Sequence, residues 1–320
     1  MQRIGVLTSG GDSPGMNAAV RGVVRTALSR GVSVTGFYHG YDGILRDETV
    51  EMDSRSVGGI IALGGTVLRS ARSDEFRTDA GLEKAHSNLK ERGIDGLVVI
   101  GGDGSLAGAL RLRETFQYPV NGVPGSIDND ISGTDFSVGF DTAVNTAVEA
   151  IDRVRDTAYS HERAFVIEVM GRLNGFIALE AGLAAGAEAV LIPEVPYRLE
   201  GIAELLRRSA AKGKKSCILV VAEGAARAED VKVYLERHVG GDVRYLVLGH
   251  MQRGGTPTAF DRVLALRLGA HAVARLLDGF PGEMAGLVAG KLVSHPLSYV
   301  LSTERTMDPE KLALVDVMAQ

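Results

Sequence analysis

Short runs rich in β-branched residues alternate with helical patterns from one end of this chain to the other, and this alternation constrains the fold more than any other feature. Strand-like runs are Ile4–Leu7, Val32–Tyr38, Gly96–Ile100, Val120–Val123, Phe165–Val169, Ala189–Ile192, Ile218–Val221 and Tyr245–Leu248. Helical patterns cover Asn17–Ser29, Ala80–Arg92, Leu106–Glu114, Ala143–Thr157, Gly175–Ala184, Leu199–Ala211, Ala228–His238 and Ala259–Leu277. Strands that alternate with helices read as βαβ units and parallel sheets. So many units overfill one small sheet, so the pattern favours two doubly wound lobes, with a single barrel left open. The stretch from Phe280 to Ser302 is the least readable, and Gly125 to Gly139 suits a lobe junction or a binding loop.

Glycines collect where these strands end. The 320 residues include 41 glycines, nearly twice the usual share of roughly 7%. With no tripeptide period this is not collagen. It points instead to backbone that must approach something closely. Charge narrows the classes further: 35 basic against 40 acidic residues leave a net charge of −5, which argues against a broad basic surface for nucleic acid. The longest apolar runs, Gly96–Ile100 and Cys217–Ala222, fall far short of the ~20 residues a membrane-spanning helix needs. Met1-Gln2-Arg3 runs directly into a strand, so no signal peptide is expected. The lone cysteine, Cys217, fits a reducing, cytoplasmic setting. No Cys/His cluster has zinc spacing.

Three loops carry the chemistry. Thr8-Ser9-Gly10-Gly11-Asp12-Ser13-Pro14-Gly15 lies between a strand and a helix. Its amides, with the helix dipole behind them, suit an anion. It is neither a Walker A loop nor a dinucleotide fingerprint, and taken alone it reads equally well as a tight turn. Gly101-Gly102-Asp103-Gly104-Ser105 places a carboxylate among glycines at a strand's carboxyl end. There it would hold Mg²⁺ on phosphates or simply cap the next helix. In Pro124-Gly125-Ser126-Ile127-Asp128-Asn129-Asp130 the two aspartates fall on one side of an extended loop. Phosphoryl transfer uses one carboxylate near the attacking hydroxyl and another for the metal; a solvated acidic turn is the plain alternative.

Other strand ends carry Met170-Gly171-Arg172, Glu223-Gly224 and Gly249-His250-Met251-Gln252-Arg253. Arginine forks suit phosphate oxygens and a glutamate accepts from sugar hydroxyls, so the set describes a site for a phosphorylated, hydroxyl-rich molecule. Arg163 and Arg244 are further basic candidates at element ends. Arg21 and Arg25 share a helix face, and Lys212-Gly213-Lys214-Lys215 adds a second basic spot; converging, they would bind another anion. No serine sits in a nucleophile elbow.

Taken together, GVLTSGGDSPGMNAAVRGVVR, GGTVLRSAR, GGDGSLAGA, PGSIDNDISGTDFSVGFDTA, SHERAFVIEVMGR, KGKKS and LGHMQRGGTPTAFDR resemble, in order and over nearly the whole chain, the bacterial ATP-dependent 6-phosphofructokinases. The resemblance implies an α/β fold of two Rossmann-like three-layer lobes with mainly parallel sheets. Residues 1–138 with 252–305 would form a larger ATP-binding lobe, and 139–251 with 306–320 a smaller fructose 6-phosphate-binding lobe. It also implies a cytoplasmic homotetramer that passes the γ-phosphoryl of MgATP to the 1-hydroxyl of fructose 6-phosphate.

Carried over by motif, Gly11, Arg72, Ser73, Gly102, Asp103, Gly104 and Ser105 resemble the ATP site, with Asp103 and Asp130 associated with Mg²⁺. Asp128 resembles the base, with Ser126 beside it, and Arg72, Arg172 and Gly11 the groups around the moving phosphoryl. Ser126, Ile127, Asp128, Met170, Gly171, Arg172, Glu223, His250, Met251, Gln252 and Arg253 match sugar-phosphate contacts, and Arg163 and Arg244 a pair from a neighbouring subunit. An effector pocket for ADP or phosphoenolpyruvate is matched by Arg21, Gly22, Val23, Val24 and Arg25, by Arg155, Gly186, Ala187 and Glu188, and by Lys212, Lys214, Lys215 and Ser216.

The sequence departs from the family pattern at Ser126, usually threonine, and at Ser54 and Leu63, where basic residues are usual. Pyrophosphate-using relatives carry aspartate in place of Gly104 and lysine in place of Gly125, so the glycines here favour ATP.

Overall fold

The computed structural model describes residues 1–214 and 216–318. The chain forms two compact units, one of Met1–Thr142 with Arg253–Arg305 and one of Ala143–Gln252 with the residues from Thr306 onward. Lys215, matched to the effector pocket, lies outside the described residues.

In the first unit, β1 (Arg3–Ser9), β2 (Ser33–Phe37), β4 (Gly96–Gly101) and β5 (Val120–Pro124) run parallel. Among the described residues they belong to a seven-stranded sheet in which β11 (Lys291–Pro296) and β10 (Glu283–Val288) lead into β5, β4, β1 and β2, and β3 (Thr49–Met52) ends the order. Every residue of β4 is buried, as expected of a parallel strand covered on both faces, which therefore reads as one apolar run. Alternate side chains serve two cores: Ile4, Val6, Val98 and Ile100 pack with α1 (Met16–Ser29) and α9 (Ala259–Leu277), while Leu7, Leu97 and Val99 pack with α3 (Asp79–Glu91) and α4 (Asp103–Phe116). This is a three-layer unit. Helices α1 and α9 lie unusually close, because a Cβ on Gly22 would stand 2.6 Å from the Leu266 carbonyl oxygen and one on Gly269 2.5 Å from that of Ala19.

Both edges of this sheet escape the sequence reading. β3 (Thr49–Met52) pairs antiparallel with β2. The unreadable stretch after Phe280 holds β10 (Glu283–Val288) and β11 (Lys291–Pro296), an antiparallel hairpin joined to β5 through β10. Its two-residue turn is Ala289-Gly290, with φ of 48° and 78°. Left-handed residues of this kind match the twist of a tight hairpin, but alanine is not the residue that signals one.

The second unit has β6 (Ala164–Val169), β7 (Ala189–Leu191), β8 (Cys217–Ala222) and β9 (Val243–Val247), all parallel in the order β7-β8-β6-β9. Val166, Leu219 and Val221 meet α7 (Leu199–Ala211) and α8 (Ala228–Val239) in its core. The α/β class with mainly parallel sheets is thus what the structure shows. No helix among the described residues is long and apolar enough to cross a membrane.

Candidate active site

In the first unit, register aligns Ser9 with Gly101 and Gly101 with Pro124. The three loops singled out above therefore leave the sheet side by side, at the carboxyl ends of adjacent parallel strands. The chain moves to opposite sides of β1 to make β2 and β4, so the loops flank a topological switch point, where open α/β sheets bind ligands.

The loops are packed on one another through glycines. The Gly125 amide donates to the Gly101 carbonyl at 3.0 Å. A Cβ on Gly101 would stand 2.5 Å from the Ser9 carbonyl oxygen, and one on Gly139 2.5 Å from the Ser13 Cβ. Asp103 and Gly104 open α4 on its exposed side, and nothing lies within 4 Å of a Cβ built on Gly104. Ser105 is buried beneath them, its carbonyl accepting the Tyr41 hydroxyl at 2.6 Å. Burial pushes that phenol far above the usual tyrosine range, so it remains a donor, and its ring stacks on Phe76 at 3.9 Å. Arg72 is exposed, and Ser73 Oγ accepts the Phe76 amide.

The aspartate turn is more enclosed. Asp128 is 2% exposed. Its amide donates to Ser126 Oγ at 3.2 Å, and Ser126 Oγ in turn donates to Asp130 Oδ1 at 3.3 Å. Asn129 holds a left-handed φ of 54°, and its Oδ1 accepts the Ser137 amide at 2.8 Å. Arg253 belongs to this unit: Nη1 would lie 3.0 Å from a Cβ on Gly11, and it faces Asp12 at 3.9 Å. This puts it beside the first glycine loop.

In the second unit, Met170-Gly171-Arg172, Glu223 and His250 follow the carboxyl ends of β6, β8 and β9. Glu223 Oε1 accepts the amides of Gly171 at 3.2 Å and Arg172 at 2.8 Å. This holds Gly171 and Arg172 in an unusual turn, with φ of 144° and 52°. Arg172, His250 and Met251 are exposed. Gln252 is fully buried, its Oε1 accepting the Met170 amide at 2.8 Å, so it braces the turn. Arg163 and Arg244 stand elsewhere, at the amino ends of β6 and β9, where Asp242 pairs with the first at 2.6 Å and the second at 2.9 Å.

A family model for phosphofructokinase matches residues 3–276. The chain belongs to the phosphofructokinase family. It is 54% identical to the ATP-dependent 6-phosphofructokinase of Bacillus pumilus over 308 residues, 96% of each chain. With the ATP-dependent 6-phosphofructokinase 1 of Thermus thermophilus it shares 53% identity across the whole of both. Saccharomyces cerevisiae phosphofructokinase matches in structure with a TM-score of 0.91 at 40% identity, over 94% of this chain and 45% of that longer one. A pyrophosphate-dependent phosphofructokinase from Marinobacter aquaeolei shares the fold, with a TM-score of 0.86 at 24% identity over 97% of this chain and 86% of that one.

The effector-matched residues of this phosphofructokinase fall in both units. On α1, Arg21 donates to the Val57 carbonyl and Arg25 to that of Ser54 at 2.8 Å. Gly22, Val23 and Val24 are buried in the core, so no side chain of theirs reaches a ligand. In the second unit Arg155 donates to the carbonyls of Ala185 and Gly186, and buried Glu188 pairs with Lys214 at 2.7 Å.

The sequence reading missed Asp261. Its carboxylate accepts the Gly139 amide at 2.9 Å, the Thr142 amide at 2.8 Å and the Thr142 hydroxyl. It thereby ties the end of the aspartate loop to the first turn of α9. Thr258, the N-cap of that helix, accepts the Asp261 amide; this Thr-x-x-Asp signal was legible in the sequence. Burial raises the Asp261 carboxyl to about 6, against the downward pull of its three hydrogen bonds. The folded form therefore keeps its proton to higher pH than the unfolded chain. The resulting stabilisation is full below about pH 4 and lost as pH rises through about 6, roughly 3 kcal/mol over two pKa units. The difference in unfolding free energy between the natural chain and Asp261→Asn should fall by about that amount over this window and stay flat above it. A difference independent of pH would contradict the assignment.

Proposed function

We propose that this phosphofructokinase transfers the γ-phosphoryl group of ATP to the 1-hydroxyl of fructose 6-phosphate, giving fructose 1,6-bisphosphate and ADP. The supporting observation is the buried Asp128 among three glycine-rich turns on adjacent strand ends.

Gly11 and the turn Gly102 to Ser105 receive the nucleotide phosphates through backbone amides and the α4 N-terminus, with Arg72 and Ser73 alongside. Among the described residues there is no cluster of three or more metal-ligating side chains. Mg²⁺ fits that sparse donor set, since it usually takes one or two carboxylates plus substrate phosphates. Asp103 and Asp130 would hold it, and when bound it neutralises phosphate charge. Asp128 accepts the proton of the sugar hydroxyl, because an alcohol is a weak nucleophile at neutral pH. Arg72 and Arg172 stabilise charge on the moving group, and no covalent enzyme intermediate is needed. Ser126, Ile127, Met170, Gly171, Glu223, His250, Met251 and Arg253 contact the sugar phosphate, with Gln252 bracing Met170. A coupled assay offering fructose 6-phosphate with either ATP or pyrophosphate tests the reading. Turnover with ATP alone is expected, and turnover with pyrophosphate, or with neither donor, would overturn it.

We further propose a cytoplasmic homotetramer in which Arg163 and Arg244 serve the sugar-phosphate site of a neighbouring subunit. Their place at the amino ends of strands whose carboxyl ends carry Arg172 and His250 supports this. Arg163→Ser should raise the KM for fructose 6-phosphate by at least about 10-fold while leaving that for ATP within about 3-fold, since it removes a charged contact to one substrate only. An unchanged KM would refute the role. Arg21, Arg25, Arg155, Glu188, Lys212 and Lys214 are proposed to bind ADP or phosphoenolpyruvate as effectors.

A further inference from the structure

We infer that Arg305 is a positioning residue for the phosphoryl-transfer base: it clamps the turn that carries Asp128. The inference rests on the reading of Asp128 as base.

The turn is held from two directions. On its far side, the β10–β11 hairpin takes hold of Thr134 and Asp135: the Leu287 amide donates to Thr134 Oγ1 at 3.0 Å and the Asp135 amide to the Leu287 carbonyl at 2.7 Å. Those bonds use the Thr134 hydroxyl and the Asp135 amide and leave the carbonyls of both residues to another partner. Arg305 reaches it. Nη2 donates to the Asp135 carbonyl at 2.6 Å and Nη1 to that of Thr134 at 2.6 Å, while Nη1 also approaches Asn129 Oδ1 at 3.4 Å and the Ile131 carbonyl at 3.5 Å. The segment that delivers Arg305 is itself tied to the turn, since the Ser132 hydroxyl donates to the Thr303 carbonyl at 2.7 Å.

Two features make this more than generic packing. Asn129, next to Asp128, sits at a positive φ of 54°, a conformation asparagine tolerates, and its Oδ1 lies between the Ser137 amide at 2.8 Å and Arg305 Nη1 at 3.4 Å. The guanidinium is also the group that can do this work: its planar fork meets two carbonyls at fixed spacing, whereas an ammonium is a single point of charge. Loss of the fork would release the Thr134 and Asp135 carbonyls, and with Asp135 the carbonyl that Asn129 Nδ2 donates to at 3.3 Å, so the turn loosens and the Asp128 carboxylate shifts with it. A misplacement of about 1 Å from a distant substitution can cost about 100-fold in rate.

The test uses the full-length natural chain, Arg305→Ala, Arg305→Lys, Asp128→Asn and the double variant Arg305→Ala/Asp128→Asn. Arg305→Ala should lower kcat by about 10- to 100-fold with both KM values within about 3-fold. Arg305→Lys should fall between it and the natural chain. If Arg305 acts through Asp128, adding Arg305→Ala to Asp128→Asn should cost less than about 3-fold more. A loss that carries over in full to the Asp128→Asn background, or a kcat for Arg305→Ala within about 3-fold of natural, would overturn the inference. Should the alanine variant not fold, Arg305→Lys decides alone: a kcat loss above about 3-fold at unchanged KM supports the clamp, and a smaller one sinks it. A natural chain that does not phosphorylate fructose 6-phosphate with ATP fails the kinase reading first and removes the basis for the clamp.

Discussion

Asp128→Asn should lower kcat by about 100- to 10,000-fold, the usual contribution of a positioned general base, while the KM for ATP stays within a few-fold. The substitution keeps the shape of a side chain that is 2% exposed and removes only its ability to take a proton. The turn should survive, because its fastenings lie in other groups: the Asp128 amide on Ser126 Oγ, the Ser137 amide on Asn129 Oδ1, and the Thr134 and Asp135 carbonyls on Arg305. The expected pattern is therefore a folded protein that binds both substrates and turns them over slowly. Steady-state kinetics beside thermal unfolding would check it, and a kcat within about 10-fold of the natural chain would show that positioning and charge, rather than a base, carry the reaction.

Where each loop sits was legible in the residues because the strands that carry the loops are buried on both faces. β4 is wholly buried, so it stands out as an unbroken apolar run, and a glycine-rich turn follows it directly. The antiparallel edges gave no comparable signal. β3 has one buried residue in four and β11 has none, and the β10–β11 turn uses Ala289. Side-chain direction was a second blind spot. Val23 and Val24 share a motif with Arg21 and Arg25, yet the helix turns them into the core; Gln252 lies one residue from Arg253 yet faces the Met170 amide. A motif records neighbours along the chain, and helical rotation decides which of them meet a ligand. Arg305 left no trace at all, since its partners Thr134 and Asp135 are 171 and 170 residues away.

Gly104→Asp should cut kcat/KM for ATP by about 100- to 1,000-fold and leave the fold intact. Two electrostatic effects act at this position. An aspartate in the first turn of α4 interacts favourably with the helix dipole, by about 0.3–1 kcal/mol. The same carboxylate would face the phosphates that the turn is proposed to receive, and like charges about 4 Å apart repel by about 4 kcal/mol at an effective dielectric of 20. The dipole term is the same with and without nucleotide, so it acts on folding and cancels from the ATP step; the repulsion then acts in full, up to a factor of about 1,000, and bulk adds to it. The geometry separates this from a folding defect: a Cβ on Gly104 meets nothing within 4 Å, so the side chain enters open space at the strand ends instead of the core. The contrast with Gly101 is direct, because a Cβ there would stand 2.5 Å from the Ser9 carbonyl oxygen. The glycine at 101 is thus required by packing, whereas the one at 104 keeps room for the donor. ATP kinetics within about 3-fold of natural for a folded Gly104→Asp protein would mean that the donor phosphates do not pass this residue, and the basis for preferring ATP to pyrophosphate would have to lie elsewhere.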